Sequence, residues 1–234
     1  MSGMFITFEG TDGSGKTSVI KAIVKELEKN GKTEYVLTRE PGGNRISEAI
    51  SNVILDERFV EMDERTEALL YAAARRQHIV ETINPALSAG KLVLCDRFVD
   101  SSIVYQGAGR SIGTDRIAEM NRFATDGLTP DLTIFLDIEP ELGLERIRRN
   151  RQDEVNRLDH EKMSFYRTVH DAYLELATKD SKRIVEVDAS QPLEAVIFEV
   201  REILKKRAPE FFACPTLKPK KKKTKFLPAS TCRE

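Results

Sequence analysis

The run Glu9-Gly10-Thr11-Asp12-Gly13-Ser14-Gly15-Lys16-Thr17 carries residue types that grip phosphate. Gly10, Gly15, Lys16 and Thr17 fall at the Gly-x-x-x-x-Gly-Lys-Thr spacing, in which glycines let successive backbone N–H groups curl inward around an anion. Lys16 reaches the outer phosphates, and the Thr17 hydroxyl serves Mg2+. A carboxylate at Asp12, in the middle of an anion site, needs a separate reason. Switches, motors and small-molecule kinases share such a loop. The guanine-reading Asn-Lys-x-Asp stretch of a GTPase does not occur.

A second phosphate-bearing molecule is suggested by arginines beside turns. Thr38-Arg39-Glu40-Pro41-Gly42-Gly43 presents Arg39, and the run from Asp96-Arg97-Phe98 to Tyr105-Gln106-Gly107 presents Arg97. An Arg fork matches phosphate oxygens bidentately, so converging arginines describe an acceptor site. Asp96, ending an apolar segment, stands where phosphate-loop enzymes keep the acid that helps hold Mg2+. Glu67, Tyr71, Arg75 and His78 share one helical stripe, about 130° from the apolar face set by Leu69, Ala72, Ala73, Ile79, Val80 and Ile83. That stripe is either a site wall or a helix edge in solvent. Arg76 falls on the apolar side and must snorkel or pair. His78, His160 and His170 show neither metal spacing nor a nucleophile partner and are read as structural.

The elements that must position these groups are visible in the hydrophobic pattern. Apolar segments at 5–8, 35–38, 92–95, 132–137 and 184–187 alternate with helical patterns, which predicts an α/β fold with a parallel sheet and helices on both faces. In the helix after the loop, Ile20, Ile23, Val24 and Leu27 fall at i, i+3, i+4 and i+7, and Gly31 marks its stop. Further helices are predicted at about 63–88, 114–126, 140–150, 160–180 and 192–207. The phosphate loop thus follows a strand and opens a helix, and the Arg39 and Arg97 clusters sit at the carboxyl edge where open sheets bind ligands.

The 234 residues, 40% hydrophobic and 32% charged, suit a single domain. No apolar run is long enough to cross a membrane. Cys95, Cys214 and Cys232 lack metal-ligand spacing and fit a reducing cytoplasm. The net charge of −1 conceals an acidic body and a basic end, because 208–234 holds six Lys and one Arg against two Glu. With "LKPKKKKTK" at 217–225 and prolines around it, this tail is expected to be disordered and solvated. Nonspecific nucleic-acid contact and targeting are the roles its Lys run leaves open beside that reading.

Taken together, the phosphate loop, Thr38 to Gly43 and Asp96 to Gln106 make residues 4–207 resemble the thymidylate kinases. The resemblance implies a P-loop nucleoside monophosphate kinase fold with a five-stranded parallel sheet, phosphoryl transfer from ATP to dTMP with Mg2+, and a homodimer. It implies that Gly10, Thr11, Asp12, Gly13, Ser14, Gly15, Lys16, Thr17 and Ser18 surround ATP and that Thr17 and Asp96 serve the metal. Arg75 and Arg97 then clamp the dTMP phosphate, with Arg39 close to the transferring group. Ser102 and Gln106 meet the thymine edge, Tyr105 lies below the sugar, and Tyr71 stands where many members stack Phe on the base. Asp12 is similar to the family's acid near the sugar 3'-hydroxyl or a metal-bound water. Members with a glycine at the position of Gly13 supply their cation from a lid, here about 145–159. Within it Arg151 is the implied transition-state cation, with Arg148 and Arg149 next, while Arg146 and Arg149 are read as helix-surface pairing, as in Glu145 with Arg149. Rival readings are a kinase for another nucleoside monophosphate and a non-catalytic nucleotide-binding regulator.

Overall fold

The computed structural model describes residues 3–150 and 161–212. In chain order the elements are β1 (Met4–Glu9), α1 (Lys16–Lys29), β2 (Tyr35–Arg39), α2 (Arg45–Leu55) and α3 (Glu64–His78). Helix α3 continues through a π-helical turn, Ile79–Ile83, into α4 (Asn84–Ser88). Then come β3 (Leu92–Asp96), α5 (Val99–Ser102) running on into π-helical Ile103–Gly109, α6 (Thr114–Thr125), β4 (Leu132–Asp137) and α7 (Pro140–Asn150). Helix α8 (Met163–Lys179), β5 (Ile184–Asp188), α9 (Leu193–Arg207) and α10 (Pro209–Phe212) complete the chain as described.

All five predicted strands form, in the order β2-β3-β1-β4-β5, and every pairing is parallel. Alternate residues of the central strands face opposite layers. Ile6, Phe8, Leu94 and Ile134 meet Val19, Ile20 and Ile23 of α1 and Val196 and Val200 of α9. On the other face Phe5 and Val93 meet Ile79, Ile83 and Phe98, while Phe135 packs with Val104, Val169 and Tyr173. Register decides what reaches the carboxyl edge: Phe8 and Arg39 both lie opposite Asp96. The phosphate loop, the Arg39 turn and the Arg97 turn therefore leave the sheet side by side.

Two departures from the sequence expectation matter for function. Helix α2 was not anticipated, although Asn44 accepts the Ser47 N–H at 2.9 Å as an N-cap and Ile46, Ile50, Val53 and Ile54 recur at helical spacing. The second departure concerns the faces of α3. Glu67, Arg75 and His78 are buried, whereas Leu69 and Val80 of the expected apolar face are 60% and 47% exposed. The polar stripe faces inward and is not a solvent edge, because its charges are buried and paired there, and the π-helical turn shifts the phase of the helix before Ile83. Arg76 does pair: its Nη1 donates to the Ala124 carbonyl at 3.5 Å.

The chain also stays folded past the expected boundary at 208. Ala208 is buried, and Phe211 and Phe212 pack against the α1–α9 core. The expectations for Arg151, His160, Cys214, Cys232 and the Lys run fall outside the described residues.

Candidate active site

The phosphate loop closes over its own lysine. Gly10, Gly13 and Gly15 adopt positive φ, as the curled backbone requires. Lys16 is buried, and its Nζ donates to the Gly10 and Thr11 carbonyls at 2.9 and 3.0 Å. Burial, and then the Arg97 guanidinium, bring its pKa down to about 8. Gly13 lies against α7: a Cβ there would stand 2.1 Å from the Gly143 carbonyl oxygen. An arginine at position 13 is thus excluded sterically while α7 holds this position.

Residues Asp12 to Ser18 line a cavity of about 850 Å3 together with Arg39, Asp96, Arg97, Arg146 and residues 189–193. Arg146 is the correction among the arginines. It does not make a helix-surface pair; it donates to the Ala189 and Ser190 carbonyls at 2.8 and 3.1 Å, tying α7 to the loop after β5. That loop was missed from sequence, though its place just after a strand was an available signal. Arg149 pairs with Glu145 as expected.

A second cavity, about 170 Å3, adjoins the first and shares Asp12, Glu40 and Arg97 with it. Tyr71, Arg75, Ser102, Tyr105 and Gln106, all expected acceptor residues, line it. Between the cavities Arg97 Nη2 donates to Asp12 Oδ1 at 2.6 Å and to the Tyr105 hydroxyl at 3.3 Å, and the guanidinium lies 5.1 Å from the Tyr105 ring centroid. Asp12 therefore has a partner of opposite charge. Arg97 itself has φ 68, a conformation costly for a side-chain-bearing residue.

Several acids that hold these arginines escaped the sequence reading. Buried Glu9 accepts from Phe98 N at 2.8 Å, from the Ser101 hydroxyl at 2.5 Å and from the Tyr173 hydroxyl at 2.8 Å, while Ser101 Oγ in turn accepts from Arg97. Burial, reinforced by nearby Asp100, pushes the Glu9 carboxyl up. Glu40 receives Arg75 Nε at 2.7 Å and meets His78 Nδ1 at 2.9 Å, and the other His78 nitrogen meets the Thr38 hydroxyl, so His78 is structural. His170 is likewise held, by Asp137 at 2.7 Å. Arg75 also donates to Ser102, Asn121 and the Phe98 carbonyl, which leaves one N–H on Nη2. Arg39 Nη2 donates to both carboxylate oxygens of Glu48, at 3.0 and 2.8 Å.

The metal expectation has a local test. Thr17 Oγ1 lies 3.4 Å from Asp96 Oδ2, while Asp96 Oδ1 is buried without a hydrogen-bond partner. A hydroxyl beside an orphaned carboxylate oxygen is a hard-oxygen donor set that fits Mg2+ shared with substrate phosphates. No group of three or more His, Cys, Asp or Glu arranged for a metal occurs among the described residues.

A phosphate loop on the central strand of a parallel sheet, with a second arginine-bearing cavity alongside, defines a P-loop nucleoside monophosphate kinase fold. Comparison with known proteins narrows the class. The family model described as thymidylate kinase matches residues 8–200. Thymidylate kinase of Latilactobacillus sakei is 60% identical over 87% of this chain and 95% of its own length, and that of Limosilactobacillus reuteri 58% identical over 91% and 100%. The crystal structure of thymidylate kinase from Ehrlichia chaffeensis matches with a TM-score of 0.71 at 34% identity, over 88% of this chain and 99% of that one. The chain belongs to the thymidylate kinase family.

Proposed function

We infer that the chain transfers the γ-phosphoryl group of ATP to dTMP, giving dTDP and ADP, in nucleotide biosynthesis. The observation that carries this reading is the junction of the two cavities at Asp12, Glu40 and Arg97, which lets donor and acceptor phosphates meet over one cation. Residues 10–18 take the donor phosphates, with Lys16 on the outer ones, and the loop at 189–193 with Arg146 lies towards the donor base. In the second cavity Arg97 and the remaining Arg75 N–H take the dTMP phosphate. Tyr71 stacks on thymine, Ser102 and Gln106 meet its edge, and Tyr105 floors the sugar.

Little covalent work falls to the protein in such a transfer; catalysis is positioning and neutralisation of charge. Lys16, Arg97 and Arg39 neutralise the migrating group, Arg39 after leaving Glu48, and Arg151 joins them from the lid. Thr17 and Asp96 would hold Mg2+, which supplies further positive charge at the donor phosphates. Asp12 keeps Arg97 aimed at the boundary between the cavities.

We assign this activity to a cytoplasmic homodimer; no helix among the described residues is long and apolar enough to cross a membrane. Support for the dimer comes from apolar side chains left outside on adjoining helices: Ile46 and Val53 of α2, Leu69 of α3, Val80 just beyond it and Phe123 of α6.

An ADP-release assay with ATP, Mg2+ and a panel of monophosphates tests the reading. dTMP is expected to be turned over fastest, with dUMP, dGMP and AMP trailing. Silence on every acceptor, or a faster rate on another one, overturns it.

A further inference from the structure

Beside the acceptor cavity lies a buried charge cluster to which the transfer reaction gives no role. Glu67 of α3 is 1% exposed, and its carboxylate receives Arg110 Nε at 3.4 Å on Oε1 and Arg110 Nη2 at 3.3 Å on Oε2. Arg110, at the end of the π-helical stretch, also donates to Glu161 at 2.6 Å and lies 4.9 Å from the Phe165 ring centroid. The same Glu67 Oε1 accepts from Gln106 Nε2 at 2.9 Å, and Gln106 is 3% exposed and lines the cavity.

A glutamine amide has two different ends, and which end meets a ligand decides what the ligand must be. A carboxylate paired with a guanidinium only accepts hydrogen bonds, so the Gln106 end turned to Glu67 must be the NH2. The end left to recognise a ligand is then the carbonyl oxygen, an acceptor. Turning the amide over would set two acceptor oxygens against each other in a buried site, a costly arrangement.

We propose that Glu67 is a specificity-determining positioning residue: by fixing the Gln106 amide it makes the cavity select bases with a ring N–H at the recognised edge. This inference rests on reading the second cavity as the dTMP site. Thymine and uracil carry that N–H at N3. Cytosine presents a bare N3 acceptor there and meets the Gln106 oxygen with repulsion. Glu67 touches no reacting atom and acts through Gln106 alone.

Kinetics on dTMP and dCMP test this. Glu67→Gln keeps the shape but can either donate or accept, which frees Gln106 to turn over. It is expected to lower the ratio of kcat/KM for dTMP to that for dCMP by about tenfold or more, with KM for ATP unchanged. Glu67→Asp, which draws the carboxylate back, is expected to lower the ratio in the same direction. In a double-mutant cycle the Glu67→Gln effect on the ratio should vanish in a Gln106→Leu background, because nothing remains to orient. A purely structural role predicts that both acceptors lose equally and the ratio stays put. An unchanged ratio in the foldable variants, or additive effects in the cycle, overturns the proposal. Failure of the parent chain to phosphorylate dTMP would sink the acceptor-site reading instead.

Discussion

Lys16, turned back onto the Gly10 and Thr11 carbonyls, makes the phosphate loop titratable near neutrality. Its folded pKa of about 8 lies below the unfolded lysine value near ~10.4, so between these limits the unfolded chain binds more protons and stability rises with pH. Below about pH 8 the burial penalty is fully present, on the order of 3 kcal/mol. Urea unfolding without nucleotide should show the parent chain gaining on Lys16→Met from pH 7 to 10; a constant gap would contradict the depressed pKa. In kinetics kcat/KM for ATP should fall above about pH 8, as Lys16 loses its proton in the free enzyme. At this scale the sequence disclosed one half of each pair. Lys16, Arg39 and Arg97 stand in recognisable runs and Arg75 on a helical stripe, but Glu40, Glu48, Glu67 and Asn121 are ordinary polar residues until the fold brings them to an arginine, and Glu9 until the Ser101 hydroxyl links it to Arg97. Nothing in their local spacing announces a partner that lies nine residues away for Glu48 and dozens away for the others.

Helix α7 bears on the phosphate loop through two glycines. A Cβ on Gly143 would lie 2.6 Å from the Asp12 carbonyl oxygen, and one on Gly13 would meet Gly143. Gly143→Val should therefore push α7 from the loop, destabilise the chain by about 1–3 kcal/mol and raise KM for ATP more than KM for dTMP. Thermal unfolding and steady-state kinetics check this together; equal changes in both KM values would mean that α7 does not act through the loop. The strands were readable because each is a short apolar run between turns, and α1 because its stripe has one buried side. Helix α3 was readable as a helix but not in its orientation. Its polar stripe faces inward to pairing groups, and the π-helical turn at Ile79–Ile83 breaks the 3.6-residue count on which any face is assigned.

At the scale of the whole molecule, half of the ten large apolar side chains left exposed among the described residues, Ile46, Val53, Leu69, Val80 and Phe123, lie on α2, α3 with its continuation, and α6, the helices beside the acceptor cavity. Leu69 is 60% exposed and Phe123 89%, and Arg76 spans from the same side of α3 to the Ala124 carbonyl next to Phe123. Charge introduced there should split the proposed homodimer. Leu69→Glu and Phe123→Glu are each expected to sediment as monomers at concentrations where the parent sediments as a dimer, with the α/β circular-dichroism signature kept. A parent chain that is itself monomeric would refute the assignment. No sequence pattern separates such a face from a core-facing one, since both are apolar stripes and only the packed layers show which stripe is already covered.

The pairing of Asp12 with Arg97 has a last consequence, for the economy of the catalytic cycle. If the acceptor phosphate takes hold of Arg97, it does so by substitution: one anion, tethered to the chain, yields its place to another that diffuses in. The guanidinium then passes from carboxylate to phosphate and back without a stage in which it stands bare, and the returning Asp12 competes with the departing product. On that premise an acid inside an anion-binding loop would work as a built-in leaving aid, trading tightness of hold for ease of release.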